Sequence, residues 1–374
     1  MMHPRREFLQ LAVAAAVASK ADSAPDTAAG EWRNRQTGMA YRKLGRTNFF
    51  LSEFVMGGNL ISPTNHEHVY WALDQGLNYL DTAPAYGKLA SERGYAHVLR
   101  SRKRDSFFLN TKITLWDGNR SALYQKIFQS LAESEQKKLL AAAKDEIERR
   151  HALDADYLVE YFPGQRREVE HSALATVMEK KYGRQVDRDK NYKQLILQSM
   201  DESLQRLGTD HTDIVMCPHG ACSGYELLNY PEIFDAFEVL RKAGKVRFLG
   251  VSAHSDPGGV LAAAALSGKY SVAMVAYNIV NHGFVDASLA KAHAAGVGVI
   301  AMKVARAVHN GRNNGTIDPP ERVAKIEAAV SGPLKVPQKA YVWALRNAKL
   351  SAVISEMGSG AIARDNLPLA MRKN

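Results

Sequence analysis

Short apolar runs alternate with amphipathic stretches along most of the chain. Eight runs have the length and apolar content of buried strands: Leu51–Met56, Tyr79–Leu80, Phe107–Leu109, Ile214–Cys217, Val246–Val251, Val272–Ala276, Val297–Ala301 and Ala352–Ile354. Helical patterns lie between several of them, at His66–Gln75, Tyr192–Leu207, Pro231–Ala243 and Pro257–Leu266. This alternation predicts parallel strands joined by crossover helices.

The number of strand–helix units separates two α/β architectures. Eight units favour a closed barrel over an open doubly wound sheet. The sequence after the first apolar run also lacks the Gly-x-Gly-x-x-Gly pattern of a Rossmann domain. We therefore predict that residues 40–374 form an α/β fold of the (β/α)8 TIM barrel type.

Residues 115–190 interrupt this alternation of strands and helices, because they separate the third and fourth predicted strands by far more than one crossover helix. Two charged helical stretches, Ala122–Arg150 and Glu168–Lys181, flank an aromatic and apolar patch at Tyr157–Phe162. We predict a helical insertion at the C-terminal mouth of the barrel, acting as a lid or as a subunit contact in an oligomer. A solvated extension with no part in chemistry is the alternative.

The first 39 residues have a different character. Residues 22–39 are rich in Ala, Asp, Thr and Gly and predict a flexible lead-in. Before them, Arg5 and Arg6 precede the apolar run Leu11–Ala18, and this pattern resembles a twin-arginine signal peptide spanning residues 1–21. The resemblance implies a periplasmic or otherwise exported protein; a cytoplasmic tail with a chance Arg-Arg pair is the alternative. The apolar run is too short for a stable membrane anchor, which needs about 20 residues.

The formal net charge of +10 does not by itself indicate a partner. Lys and Arg are scattered among acidic residues and form no basic block with interleaved aromatics, so we predict no nucleic-acid partner. A bound anionic cofactor would use the same charge.

The two cysteines of the chain, Cys217 and Cys222, exclude a disulfide framework. Together with His219 they leave open a soft-metal site, and an oxidising compartment leaves open a disulfide between them. A fourth metal ligand is not evident, and we predict no metal site.

Four polar residues occupy the ends of predicted strands. Asp81 ends the second strand and Tyr86 lies in the loop beyond it, while Lys112 and His219 end the third and fourth strands. In a barrel enzyme these ends meet at one face, where the active site forms. The sequence therefore predicts that the four side chains converge.

This set suits the reduction of a carbonyl group. Tyr86 would supply the proton, and the ammonium of Lys112 would favour the ionised phenol and so strengthen the acid. Asp81 would pair with Lys112 and hold it in place. His219 would donate a hydrogen bond to the carbonyl oxygen as negative charge develops there.

The segments around these residues resemble the aldo/keto reductase family. They read Asp81-Thr-Ala-Pro-Ala-Tyr86-Gly87 with Ser91-Glu92, Thr111-Lys112, Ser203-Leu-x-Arg-Leu-Gly208 and Cys217-Pro-His219, preceded by Tyr41-Arg-Lys-Leu-Gly-Arg-Thr47. The resemblance covers about residues 40–114 and 191–370. It implies an NAD(P)H-dependent oxidoreductase that interconverts a small aldehyde or ketone and an alcohol, with Tyr86 as the proton donor.

The resemblance also implies NADP or NAD lying across the barrel mouth. The residues assigned to this cofactor are Gly57, Gly58, Asn59, Ser252, Met302, Lys303, Arg306, Ser359, Arg364 and Asn366. Met274 and Met302 stand where many members of the family have a glutamine and an aromatic residue. Glu356 stands where many NADP-preferring members have a cation, so we expect it to repel a 2′-phosphate, with Arg364 compensating from the next turn.

These departures from the family pattern motivate an alternative function. The chain would then be an exported binding or scaffold protein that keeps the barrel, has lost turnover, and uses the insertion as its contact surface. A metal-dependent hydrolase on the same barrel is a third hypothesis, resting on Cys217, His219 and Cys222.

Overall fold

A computed structural model describes residues 30–113, 116–310 and 318–371. The strands are β1 (Glu31–Trp32), β2 (Tyr41–Lys43), β3 (Phe49–Ser52), β4 (Phe54–Met56), β5 (Tyr79–Asp81), β6 (Phe108–Lys112), β7 (Thr212–His219), β8 (Val246–Ala253), β9 (Val272–Ala276), β10 (Gly298–Met302) and β11 (Ala352–Ser355). The helices are α1 (Glu67–Asp74), α2 (Ala90–Ser101), α3 (Trp116–Gln129), α4 (Glu133–Arg149), α5 (Gln165–Tyr182), α6 (Leu195–Leu207), α7 (Tyr225–Leu228), α8 (Pro231–Lys242), α9 (Pro257–Ser267), α10 (His282–Ala294), α11 (Pro320–Ala329), α12 (Val336–Leu345) and α13 (Gly360–Asn366).

Strands β4 to β11 close into a barrel in the order β10-β11-β4-β5-β6-β7-β8-β9. Every neighbouring pair in this order is parallel. The predicted (β/α)8 barrel is therefore confirmed, and each of the eight predicted runs overlaps a barrel strand. The carboxyl ends of all eight strands meet at one mouth, which places the predicted site residues on a common face.

The first predicted strand, Leu51–Met56, is in fact two strands. Its first half belongs to β3, which lies in a separate three-stranded sheet of order β1-β3-β2, and its second half is the barrel strand β4. Phe49 and Leu51 from β3 are fully buried with the side chains of the barrel interior. The ring of Phe49 stacks on that of Phe108 at 4.2 Å. The small sheet thus closes the end of the barrel opposite the mouth.

Residues 30–39 are packed against the barrel, so the flexible lead-in predicted for residues 22–39 does not extend through them. Arg33 is buried, donates to the carbonyl oxygen of Phe107 at 2.8 Å, and pairs with Asp213 at 3.1 Å. Asn34 donates to the carbonyl oxygen of Leu77 at 2.8 Å. Apolar contacts add to these bonds, since Met39 is buried in the core and the ring of Trp32 stacks on that of Phe50 at 4.1 Å.

The insertion is a packed helical layer. The predicted stretch Ala122–Arg150 is broken at residues 130–132 into α3 and α4, and α5 packs against both helices. Arg120 of α3 is fully buried and lies 3.6 Å from Glu179 and 3.5 Å from Glu226. Because Glu226 belongs to α7, this cation ties the insertion to the loop region that follows β7. The structure therefore does not support a solvated extension.

Other helices follow the predictions closely, with one difference. Within the predicted helix Tyr192–Leu207, the α-helix α6 begins only at Leu195. The residues before it belong to a π-helical turn, Asp189–Gln194. None of the helices within the described ranges combines the length and apolarity needed to cross a bilayer. The predicted signal peptide, residues 1–21, lies outside the described residues.

Candidate active site

The four predicted catalytic residues come together at the barrel mouth. Asp81, Lys112 and His219 are the last residues of β5, β6 and β7, which are neighbours in the barrel. The Nζ atom of Lys112 forms a short ion pair with Oδ1 of Asp81 and lies 4.5 Å from the centre of the Tyr86 ring. The rings of Tyr86 and His219 lie edge to face at 6.0 Å. The structure thus assembles the cluster from three adjacent strand ends and one loop.

The ion pair at the base of the cluster is closed to solvent. Lys112 is 0% exposed and Asp81 is 1% exposed. The Nζ atom of Lys112 also donates to the carbonyl oxygen of Thr82 at 3.0 Å. Burial lowers the pKa of the Lys112 ammonium, and the charge of Asp81 opposes that effect. The two residues hold each other in a fixed position beside Tyr86.

The acidity of Tyr86 differs from the prediction. We expected Lys112 to lower the pKa of the phenol; instead burial of the hydroxyl, and next the charge of Asp81, raise the pKa of Tyr86 well above its ordinary value. The reason is geometric, because the ammonium lies over the face of the Tyr86 ring and pairs with Asp81. Tyr86 therefore keeps its proton at neutral pH, as a proton donor must.

His219 is a neutral hydrogen-bond donor. Burial, followed by the charges of Lys112 and Lys303, lowers the pKa of His219 to about 3. Its Nδ1 atom is buried and has no hydrogen-bond partner among the described residues. Because Nδ1 has no acceptor among the described residues to which it could donate, the tautomer with the proton on Nε2 is favoured. An N–H donor next to Tyr86 is the group that a carbonyl oxygen needs.

A buried carboxylate braces the strand that carries Lys112. Glu92 of α2 is fully buried, accepts a hydrogen bond from Oγ1 of Thr111 at 2.7 Å, and pairs with Nε of Arg206 at 2.6 Å. Arg206 belongs to α6, so two helices fix the end of β6. Both residues lie in the sequence segments that carry the family resemblance, but only the structure shows that they touch.

The glycines after β4 allow the backbone to approach Asp81 closely. A Cβ atom on Gly58 would lie 2.0 Å from the carbonyl oxygen of Asp81, so this position excludes any side chain. The amide of Gly57 donates to the carbonyl oxygen of Ser355 at 2.8 Å, and Asn59 beyond it is exposed. Gly57, Gly58 and Asn59 thus lie at the mouth next to the cluster, and the two glycines have no side chain.

Three other residues predicted to bind the cofactor, Ser252, Met302 and Lys303, lie at the ends of β8 and β10. Ser252 of β8 lies beside His219 in the strand register, and its buried Oγ atom has no hydrogen-bond partner within the described ranges. Met302 ends β10 and is buried. Lys303 follows it in the left-handed conformation, with φ of 59°, and its charge lowers the pKa of His219. Arg306 lies further along the same loop and is partly buried.

The remaining candidates belong to α13. Ser359 caps this helix and accepts a hydrogen bond from the amide of Ile362 at 3.3 Å. Arg364 is exposed, and its guanidinium lies 5.2 Å from the centre of the Trp71 ring. Asn366 is buried and donates to Oγ of Ser355 at 3.0 Å, so its side chain supports the end of β11.

Glu356 directly follows β11, and its side chain is exposed. Its Oε1 atom accepts a hydrogen bond from the amide of Leu60 at 3.1 Å. Its charge helps to raise the pKa of Tyr86. The expected repulsion between Glu356 and a 2′-phosphate stays a prediction.

The residues 157–165, here called the cover segment, lie across the mouth on the side of β8 to β10. The hydroxyl of Tyr161 accepts a hydrogen bond from Nδ2 of Asn278 at 2.7 Å. The ring of Phe162 lies 5.6 Å from that of His254, which follows β8. The insertion thus reaches the mouth, as predicted, and the sequence signal for it was the aromatic patch at Tyr157–Phe162.

Two other features are separate from this chemistry. A cavity of about 680 Å³ lies within the insertion, between α3, α4 and α5, and Phe128, Leu140 and Ile147 are among its lining residues. It contains none of the four cluster residues. Cys217 and Cys222 are buried thiols that form no disulfide, and the described part of the chain shows no group of three His, Cys, Asp or Glu residues placed to hold a metal ion.

The neutral histidines predict how stability depends on pH. His219, with a pKa of about 3 in the folded protein, stays unprotonated where the unfolded chain, near 6.5, takes up a proton. The free energy of unfolding is therefore expected to fall as the pH drops below 6.5, by about 2 kcal/mol at pH 5 from His219 alone. Burial also lowers the pKa of His254, which adds to the loss.

Urea denaturation at pH 7.5 and pH 5 checks this expectation. A His219→Gln variant should lose less stability between the two pH values than the parent protein does. His293→Gln, a change at an exposed position on α10, is the matched control and should leave the difference unchanged. Equal pH dependence in the parent and in His219→Gln would contradict the expectation.

Comparisons with known proteins agree with this geometry. The model of the aldo/keto reductase family matches residues 59–144 and 157–368. Among solved structures, an aldo-keto reductase from Bacillus halodurans in its holo form is 18% identical with a TM-score of 0.57, covering 90% of this chain and 92% of its own. A thermostable aldo-keto reductase solved with the inhibitor epalrestat is 17% identical with a TM-score of 0.57, covering 90% and 96%. A putative aldo-keto reductase from Pseudomonas aeruginosa is 17% identical with a TM-score of 0.53, covering 90% and 97%.

The structural likenesses establish the same barrel, and the family model spans well over half of the sequence, including Asp81, Tyr86, Lys112 and His219. The chain belongs to the aldo/keto reductase family, whose members are oxidoreductases acting on carbonyl compounds and alcohols.

Proposed function

We propose that the protein is an NAD(P)H-dependent oxidoreductase that interconverts a small aldehyde or ketone and the corresponding alcohol, with Tyr86 as the proton donor. The observation that carries the proposal is the cluster of Asp81, Lys112, Tyr86 and His219 at one end of the barrel. It combines a protonated phenol, a neutral imidazole donor and a fixed cation within one small space.

The residues of the cluster have separate tasks in carbonyl reduction. The nicotinamide cofactor, when bound, supplies the hydride to the carbonyl carbon. His219 donates from Nε2 to the carbonyl oxygen and orients it, and Tyr86 gives its phenolic proton to the same oxygen as negative charge develops there. The ammonium of Lys112, 4.5 Å from the ring centre, then stabilises the tyrosinate that remains. Asp81 keeps Lys112 in position.

The residues around the cluster fit a dinucleotide. The unpartnered hydroxyl of Ser252 offers a hydrogen bond beside His219, and the cations Lys303 and Arg306 suit a pyrophosphate. The exposed guanidinium of Arg364, stacked on Trp71, suits a further phosphate on the adenosine, which favours NADP, with NAD as the other candidate.

Titration of the purified protein with NADPH and NADH tests the proposal directly. Binding of at least one nucleotide, together with its oxidation in the presence of an aldehyde panel, is the expected result. Failure to bind either nucleotide would contradict the proposal and would favour a binding or scaffold role for the barrel.

Arg364→Ala tests the preference for the phosphorylated cofactor. Loss of a charge-assisted contact to the 2′-phosphate is expected to raise the Kd for NADPH about tenfold and to leave the Kd for NADH unchanged. Arg241→Ala removes an exposed arginine of α8 that pairs with Glu238 at 2.7 Å, and serves as the control. A parallel loss for both nucleotides would show that Arg364 does not read the phosphate.

The N-terminal sequence supports a proposal about location. Arg5, Arg6 and the apolar run Leu11–Ala18 support export of the folded protein to the periplasm through the twin-arginine pathway. Fractionation of cells that produce the full chain tests it, since recovery only in the cytoplasm would contradict export. An oligomer formed through residues 115–190 stays a prediction, which light scattering of the purified protein would check.

A further inference from the structure

Pairing between β7 and β8 does not by itself fix the end of β7, where His219 lies. The register of the two strands shifts between Met216 and His219. Beyond this point the amides of Gly220 and Ala221 both donate to the carbonyl oxygen of Ser252 at 2.9 Å. The position of His219 therefore depends on how the loop that follows it is held.

The insertion holds this loop at Cys222, three positions after His219. The amide of Cys222 donates to Oε2 of Glu226 at 3.1 Å, and its carbonyl oxygen accepts a hydrogen bond from Nη1 of Arg150 at 3.0 Å. Glu226 is fully buried and lies 3.5 Å from Arg120 of α3. Arg150 directly follows α4. Two helices of the insertion thus fix Cys222, one through Glu226 and the other through Arg150.

Arg150 also reaches the loop that follows β8. Its Nη1 atom lies 3.1 Å from Oδ2 of Asp256. Asp256 is buried, and its Oδ1 atom accepts hydrogen bonds from the hydroxyl of Tyr157 and from the amide of Gly259 at 3.1 Å. The side chain of Arg150 is only 14% exposed, so water competes little for these bonds. One guanidinium therefore ties the loop after β7 to the loop after β8.

We propose that Arg150 is a positioning residue for carbonyl reduction, which holds the loop after β7, and with it His219, where Nε2 meets the carbonyl oxygen. The inference rests on the proposed reductase function. A guanidinium bound at once to a carbonyl oxygen and a carboxylate makes charge-assisted hydrogen bonds of defined direction. A displacement of about 1 Å at a catalytic group can cost about 10²-fold in rate. Arg150 thus contributes to turnover through the backbone of a loop.

Two neighbouring arginines provide a matched test. Arg150→Met keeps the aliphatic part of the side chain and removes the guanidinium, so kcat for carbonyl reduction is expected to fall about tenfold. Arg150→Lys can still donate to one of the two acceptors and should recover part of that loss. Arg149→Met is the control and should leave kcat unchanged, because this side chain is 68% exposed and pairs with Glu146 at 2.6 Å.

A double-mutant cycle with His219→Gln separates positioning from a general loss of structure. If Arg150 acts through His219, Arg150→Met should lower kcat by no more than about twofold in the His219→Gln background. An equal tenfold loss in both backgrounds would overturn the inference, because Arg150 would then act independently of His219.

NMR spectra of the protein with isotope-labelled histidine test the same contact without turnover. The His219 signal, assigned by its absence in His219→Gln, is expected to shift in Arg150→Met and to stay in place in Arg149→Met. A His219 signal that does not move in Arg150→Met would overturn the inference even if the enzyme is active. If the protein reduces no carbonyl compound but the signal shifts, the reductase function fails, whereas the hold of Arg150 on His219 is supported.

Discussion

Replacing Tyr86 with phenylalanine is expected to lower kcat for carbonyl reduction by about 10²- to 10⁴-fold, because the variant lacks the only phenolic proton in the cluster. The ring itself remains, so the contacts with Lys112 at 4.5 Å and with His219 at 6.0 Å are preserved. Affinity for the nucleotide should change little, since the loss falls on the step in which oxygen gains a proton.

Stopped-flow or steady-state oxidation of NADPH measures this effect, and fluorescence titration reports nucleotide binding separately. Tyr70→Phe is a matched control: Tyr70 is a half-buried tyrosine of α1 whose hydroxyl accepts from Ser101 at 3.0 Å, away from the mouth. An activity of Tyr86→Phe within threefold of the wild type would show that the proton comes from another group. His219, as the remaining N–H donor, would then be the first candidate.

Replacing Asp213 with alanine is expected to lower the free energy of unfolding by about 3–5 kcal/mol. Asp213 has a side-chain exposure of 0% and pairs with Arg33 at 3.1 Å, Arg104 at 2.8 Å and Arg247 at 3.1 Å. It also accepts a hydrogen bond from the amide of Leu109 at 2.9 Å. Its removal leaves three guanidinium groups without their common partner at the closed end of the barrel.

Urea denaturation followed by circular dichroism measures the change. Asp210→Ala is the control, because the side chain of this neighbouring aspartate is 92% exposed and pairs with His211, so its loss should cost less than about 1 kcal/mol. A loss below 1 kcal/mol for Asp213→Ala would show that the arginines find other partners. The result also reports on residues 30–39, since Arg33 holds that segment against the barrel.

The contribution of Asp213 could not be found in the sequence. It is one acidic residue among 39 Asp and Glu in the chain, and its partners stand 180, 109 and 34 positions away. Those contacts form only when the strand ends and the N-terminal segment meet below the barrel. The same holds for residues 30–39, predicted as part of a flexible lead-in, whose Arg33 contacts the distant residues Phe107 and Asp213.

The four residues clustered at the barrel mouth, in contrast, could be predicted from the sequence. Asp81, Tyr86, Lys112 and His219 were found from the sequence, because closure of a parallel barrel brings all strand ends to one face whatever the loop lengths. The pKa values of these residues could not be predicted from the sequence. The expectation that Lys112 lowers the pKa of Tyr86 required the ammonium to lie near the hydroxyl, whereas the short pair with Asp81 holds it over the ring.

The surroundings of Glu356 and His254 also depended on tertiary structure. The family resemblance placed Glu356 near the adenosine end of a cofactor, and the structure adds a hydrogen bond to its Oε1 atom from the amide of Leu60, 296 positions away in the chain. The resemblance placed His254 near the nicotinamide end, and only the structure shows the ring of Phe162 at 5.6 Å from it. In both cases the contact comes from a distant part of the chain.

The sequence by itself determined the barrel, the number of its strands, the position of the insertion and the identity of the four cluster residues. These depend on the period of apolar residues and on motifs that lie within short segments, so local information is sufficient for them. Tertiary structure alone decided which charges meet: Asp81 with Lys112, Glu92 with Arg206, and Asp213 with its arginines. Pairing energies and pKa values depend on distance and burial, and both arise only when remote segments pack together.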